Sequence, residues 1–192
     1  MELPQLPAII QDFRTNVLKD GPHFLLPEPH IPPLRAEEVH GFLHGRFPDI
    51  PPHFMGYLRS FYFDNWTIGP IAFGQGRDYF STLISYNTPD ANGYDNWWDS
   101  GDRPSRQIMI AISDGFVVTL DCGTGLVHAM RNDDSPHEPA SAIAADFDVF
   151  VRLAYCGLIF RLVHKDTREV CEWLAKHSGV SEGSDFWVWL CV

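Results

Sequence analysis

Cysteine is scarce in this sequence: Cys122, Cys156, Cys171 and Cys191 are the four among 192 residues, and none forms a Cys-x-x-Cys pair. Spacings that wide do not read as a disulfide framework, so reduced and partly buried thiols are expected. Basic residues are outnumbered, 14 Lys and Arg against 25 Asp and Glu, for a net charge of -11. A chain of that sign repels nucleic acid and anionic membrane and is steered towards basic partners. Long hydrophobic runs are missing too. The most apolar stretch, Phe147 to Val163, is broken by Asp148, Arg152 and Arg161, which leaves nothing near the roughly 18–20 apolar residues of a membrane helix. The opening Met-Glu-Leu-Pro-Gln-Leu-Pro has neither the basic start nor the apolar run of a signal peptide. A cytoplasmic location is the resulting expectation. Internal repeats and low-complexity tracts are absent.

What is present reads as a globular chain: 45% of residues are hydrophobic and 20% charged, values that allow a substantial core. The length predicts one domain over residues 1–192, on a prior of roughly 100–200 residues per domain. Residues 8–19 carry a short helical pattern that stops at Gly21-Pro22, and a proline-rich connector follows to Pro33. Residues 35–45 read as a second helix, with Glu37 and Glu38 placed in its first turn, where the macrodipole favours them, and Val39, Phe42 and Leu43 as its apolar stripe. Pro51-Pro52 opens a third, carrying Phe54, Leu58, Phe61 and Tyr62 on one face, since proline is tolerated in a first turn.

From Trp66 the pattern turns to strands, predicted over 67–73 and 79–86 from their β-branched and aromatic residues. "QIMIAISDGFVVTLDCGTGLVHAMR" predicts a three-stranded meander over about residues 107–131. In this reading Asp114-Gly115 is a two-residue hairpin turn with positive φ at both positions, and Cys122 to Gly125 form the second turn. Phe147, Phe150, Val151, Ala154 and Leu158 follow the spacing of a buried helical face. Asp166-Thr-Arg-Glu169 has the form of a capping box opening a helix, with Val170, Trp173 and Leu174 inward, Lys176 and His177 near its end, and Gly179 closing it. Helices, then an antiparallel sheet, then helices predict an α+β fold: a central antiparallel meander packed by N-terminal and C-terminal helices.

Few residues group in ways that carry chemistry. His40 and His44 stand four apart on a predicted helix, a spacing that suits zinc, but Gly41 stands where a metalloprotease helix needs glutamate. A polar helix face is the better reading. His128, Asp133, Asp134, His137 and Glu138 form a second cluster, in a segment whose Asn132, Ser135 and Pro136 also describe an ordinary loop. Gly74-x-Gly76 and Gly123-x-Gly125 lack the third glycine of a phosphate loop. No Gly-x-Ser-x-Gly elbow occurs, and Cys122 has no evident base. No metal, cofactor or catalytic residue is implied.

The segment "NTPDANGYDNWWDSGDRPS", residues 87–105, stands out. Its glycines and prolines exclude a regular helix, yet it holds adjacent tryptophans among four aspartates. One account makes an indole a lid on the sheet. Another makes Trp97 and Trp98 aromatic anchors ringed by Asp90, Asp95, Asp99 and Asp102, a partner-binding surface with an acidic rim. The alternative is an enzyme or carbohydrate-binding protein, with carboxylates from the same segment flanked by tryptophan platforms.

"EEVHGFLHGRFPDIPPHFMGYLRSFY", "GPIAFG", "QIMIAISDGFVVTLDCGTGLVHAMRNDD" and "AIAADFDVFVRLA" together resemble the SUKH superfamily, which includes Syd-like proteins, bacterial immunity proteins and a fungal cell-wall regulator. Ile50-Pro51 matches its turn before a helix, Asp114-Gly115 its meander motif, and Asp146-Phe147 through Phe150 its closing helix. Asp64-Asn65-Trp66 stands where Asn-Gly-Gly is usual. The resemblance covers about residues 35–155, leaving an N-terminal helix over 8–20 and a helical extension over 156–192. It implies a non-enzymatic immunity protein that neutralises a toxin, often a nuclease. The cognate toxin would be the basic partner.

Overall fold

The computed structural model describes residues 3–16, 33–47, 49–61, 66–74, 78–88, 106–131, 140–163, 166–181 and 184–191. Among them are seven helices and one six-stranded antiparallel sheet, the α+β architecture expected. Helices α1 (Leu6–Asn16), α2 (Pro33–His44) and α3 (Pro52–Ser60) precede the hairpin β1 (Thr67–Ile68) and β2 (Ile71–Ala72). Helix α4 (Tyr79–Tyr86) leads to β3 (Gln107–Ile112), β4 (Phe116–Asp121), β5 (Val127–Arg131) and β6 (Ser141–Ala144). Helices α5 (Phe147–Val163), α6 (Thr167–His177) and α7 (Ser184–Cys191) complete the chain. Strand order follows chain order from β1 to β6, so each strand pairs with its sequence neighbours.

Four local expectations are corrected. Residues 79–86 form helix α4, not a strand: Asp78 caps it by accepting from the Ser81 amide, and Tyr79, Leu83 and Tyr86 recur at helical spacing on a buried face. The stretch 67–73 is a tight hairpin turning at Gly69, whose φ of 57° suits glycine. Asp114 and Gly115 do not take positive φ; instead the Ser113 amide donates to the Phe116 carbonyl at 2.8 Å and the Phe116 amide to the Ser113 hydroxyl at 2.9 Å. Ser113 thus supplies with its side chain the acceptor that a mirror-image turn would supply with backbone. Helix α2 begins at Pro33, which moves Glu37 and Glu38 out of the first turn; Glu37 pairs with Arg59 of α3 at 3.1 Å instead.

The meander itself stands as read. β3 pairs with β4 from Gln107↔Asp121 to Ile112↔Val117, with a bulge between Met109 and Ala111. Gly125, at φ 76°, closes the next turn beside the Asp121 carboxylate, which accepts from the Gly123 and Thr124 amides at 2.8 Å each. Both faces of the sheet are covered. Ile108, Ile110, Val118, Leu120, Val127 and Ile143 join the large core, while Met109 and Val117 pack with Tyr86 on the other side.

Helix α5 is the hub. It is apolar nearly all round, as a helix with neighbours on every side must be, and it touches α1, α3, α6, α7, β1 and β6. Phe147 at its start meets Phe54 and Tyr57 of α3 edge-on, at centroid distances of 4.8 and 5.0 Å. Tyr155 accepts at 3.0 Å from the buried indole N–H of Trp66, which stacks on Phe73. At the sheet's far edge the Trp187 indole donates to the Ile143 carbonyl at 3.1 Å, and the Ala145 amide to the Ser178 carbonyl at 2.8 Å. These bonds occupy one carbonyl of the edge strand β6 and the amide just after it. Gly179 makes this possible: its φ is 75°, and a Cβ there would lie 2.8 Å from that of Ala145.

Candidate functional site

The predicted partner-binding residues Asp90, Asp95, Trp97, Trp98, Asp99 and Asp102 lie outside the described residues. The residues that bracket them are described, and both ends are held on the first half of β3. At one end Asn87 is fully buried at the end of α4. Its side-chain N–H groups donate to the Leu83 and Met109 carbonyls at 2.8 and 2.9 Å, and its side-chain oxygen accepts from the Met109 amide at 3.0 Å. Asn87 so acts as a one-residue strand along β3, where the two-residue β2 is too short to reach; β2 pairs with β3 only at Ala72↔Ile112. The Tyr79 hydroxyl satisfies the next carbonyl, Ile110, at 3.0 Å. Arg46, following α2, donates to the Asn87 carbonyl at 2.9 Å.

At the other end the Arg106 carbonyl accepts from the Cys122 amide at 2.7 Å, and Gln107 pairs across to Asp121. The Gln107 side-chain oxygen also takes the buried Thr119 hydroxyl at 3.1 Å. Asn87, at the end of α4, and Arg106, just before β3, therefore both sit within a few residues of Met109.

A second location is a cleft of about 220 Å3 between the start of α3, the β4–β5 turn and the β6–α5 junction, lined by His53, Thr124, Asp146 and apolar neighbours including Phe54 and Phe147. Two of its polar groups are already engaged in structure. Asp146 caps α5 by accepting from the Val149 amide at 2.7 Å, and the Thr124 hydroxyl donates to Asp121 at 3.0 Å. Next to it Asp148 pairs with Arg152 at 2.7 Å. Burial pushes the Asp148 carboxyl up; Arg152 opposes this, and the neighbouring Asp146 adds to it. Ligand pockets are commonly about 300 Å3 or larger, so this cleft is small for a substrate.

The histidine clusters divide. His40 and His44 do share a face of α2, their rings stacked at 5.4 Å between centroids. His128 Nδ1 donates to the Ala140 carbonyl at 3.2 Å, bridging β5 to the start of β6, while Asp133, Asp134, His137 and Glu138 lie outside the described residues. Among the described residues no group of three or more His, Cys, Asp or Glu side chains is placed to hold a metal ion. Nor, among the described residues, is any helix long and apolar enough to cross a membrane.

Sequence reasoning singled out the Asp/Trp segment from composition but missed its anchors. Asn87 and Arg46 carry no local signature, because their partners are 22 and 41 residues away. No family model, no curated protein and no solved structure matches this chain.

Proposed function

We propose that this chain is a non-enzymatic, SUKH-like cytoplasmic protein that binds a basic protein partner, most simply a bacterial toxin such as a nuclease that it neutralises. The observation that carries this reading is the double anchorage on β3. Asn87 and Arg106 hold the ends of a segment containing Asp90, Asp95, Asp99 and Asp102 with Trp97 and Trp98. A segment fixed at both ends on a sheet loses less freedom on binding than a free one, and that loss is a major cost of association. The net charge of -11 supports the choice of partner, since a nuclease must be basic around its substrate groove. Asp/Trp composition suits the contact itself: indoles are common hot spots, and carboxylates around them steer a basic surface into place.

The test uses the full-length protein as bait in the lysate of its own source, followed by calorimetric titration of the basic protein recovered. Trp97→Ala or Trp98→Ala should weaken that complex by about 2 kcal/mol or more while the melting temperature holds. Lower melting temperatures with unchanged affinity would make the indoles core residues and move the binding face elsewhere. Substrate turnover, or a sugar or metal retained by the purified protein, would overturn the reading altogether.

A further inference from the structure

The histidines among the described residues differ in what holds their rings. His128 Nδ1 donates to the Ala140 carbonyl at 3.2 Å, and His177 Nδ1 to the Trp173 carbonyl at 2.7 Å. His53 lines the small cleft at the start of α3. His40 and His44 stand apart from these. They lie one turn apart on α2, His40 half-buried and His44 exposed. Their ring centroids are 5.4 Å apart, with the planes inclined by 27°. Neither ring makes a hydrogen bond among the described residues.

That separation suits a shared metal ion. An ion bound by one nitrogen of each imidazole at about 2.0–2.1 Å, with a near-tetrahedral angle between them, places the ring centres about 5 Å apart. The helix itself fixes the spacing, because residues four apart lie one above the other. The surroundings favour a cation. Both residues belong to the last turns of α2, which ends at His44, and the macrodipole is negative there. The whole chain carries a net charge of -11. Glu37, one turn earlier on the same stripe, is paired with Arg59 at 3.1 Å, which leaves the two imidazoles to face the ion. Arg46, just beyond His44, is turned to the Phe42 ring and the Asn87 carbonyl. Gly41 borders the pair, and a Cβ there would meet nothing within 4 Å, so water ligands have room.

We propose that His40 and His44 form a surface binding site for a divalent transition-metal ion that prefers imidazole, namely copper(II), nickel(II) or zinc(II). Each ring gives one nitrogen lone pair, and water completes the coordination. Two protein ligands hold the ion exchangeably, so it follows the medium and is not carried through purification. Once bound, it ties two successive turns together and stiffens the end of α2, from which the chain runs to Arg46 and its hold on Asn87. The site rests on neither the Asp/Trp segment nor the nature of any partner, so either proposal can fail without the other.

The test titrates untagged, full-length protein with nickel sulfate by calorimetry. One saturable site is expected, tighter for copper and unmoved by a large excess of magnesium, which prefers oxygen ligands. His40→Ala and His44→Ala should each weaken it at least about ten-fold, since losing either ligand removes the chelate. His53→Ala should leave it unchanged. The wild-type protein gives a second readout: nickel should shield His40 and His44, but not His53, from acylation by diethyl pyrocarbonate, as peptide mass spectrometry would show. Absence of saturable binding at millimolar nickel would overturn the proposal. So would competition by magnesium, or an equal loss in His53→Ala, because either outcome means diffuse binding over the acidic surface.

Discussion

The side-chain amide of Asn87 offers two donors and one acceptor, and all three meet buried backbone groups of Leu83 and Met109. Removing it strands the Met109 N–H and C=O away from water, and each buried backbone group so stranded costs about 1–3 kcal/mol. Asn87→Ala should therefore lower unfolding free energy by about 2–4 kcal/mol, read as a shift in the urea midpoint with little change in slope. The same substitution loosens one anchor of the Asp/Trp segment, so affinity for the partner should fall with it. None of this is legible locally. An asparagine between an apolar run and a Pro-Gly-rich stretch reads as a loop residue, and its strand partner lies 22 residues further on. Asp114-Gly115 shows the converse: the turn is where the dipeptide suggests, but Ser113 alters its geometry by lending its hydroxyl to Phe116.

Helix α4 shows how an element is misread and how its own charge holds it. "YFSTLISY" is rich in strand-forming residues, and β propensity largely reflects fit to a half-buried surface. The signals that decide are Asp78 just before the helix and buried residues at 79, 83 and 86. Partial burial opposes the charged form of Asp78. The Ser81 hydroxyl and amide, and then Arg35 at 3.1 Å, outweigh it and hold the carboxyl below its ordinary value. A carboxyl depressed in the folded state contributes stability above its unfolded pKa, about 4, and that contribution is lost as pH falls through the folded value. Asp78→Asn should thus be less stable than wild type at neutral pH and show a flatter decline below about pH 4, measured by urea midpoints across the acid range. Asp78→Ala loses the cap as well, at about 1–2 kcal/mol. Other elements were legible to different degrees. The meander and α5 announce themselves by turn residues and helical spacing. β6 has four residues, too few for alternation to show, and α7 is so apolar that no period stands out in its eight.

Across the whole molecule, charge is unevenly shared. Asp90, Asp95, Asp99 and Asp102 share the 87–105 sequence with a single basic residue, Arg103. Changing the four to asparagine should slow association with the basic partner and flatten its salt dependence, with dissociation little altered, as stopped-flow mixing at several ionic strengths would show. An equal change in both rate constants would mean the aspartates make close contacts and do not steer. The α+β class was readable at this scale because helix, sheet and helix follow one another along the chain. The anchorage of the Asp/Trp segment was not, because it is made by long-range hydrogen bonds that no composition encodes.

The contact between α1 and α5 has a bearing on synthesis. Arg152 of α5 donates to the Leu3 and Pro4 carbonyls at 3.3 Å, 149 and 148 residues away, and Leu6 and Ile9 of α1 are buried in the same core. On a ribosome delivering about 5–20 residues per second, α1 emerges well before its docking surface on α5. For several seconds the first helix exists without its partner, while the β3–β5 hairpins, whose pairings are all local, have time to close. The nascent chain is thus built from the sheet outwards, with α1 exposed to proteases and chaperones until α5 arrives.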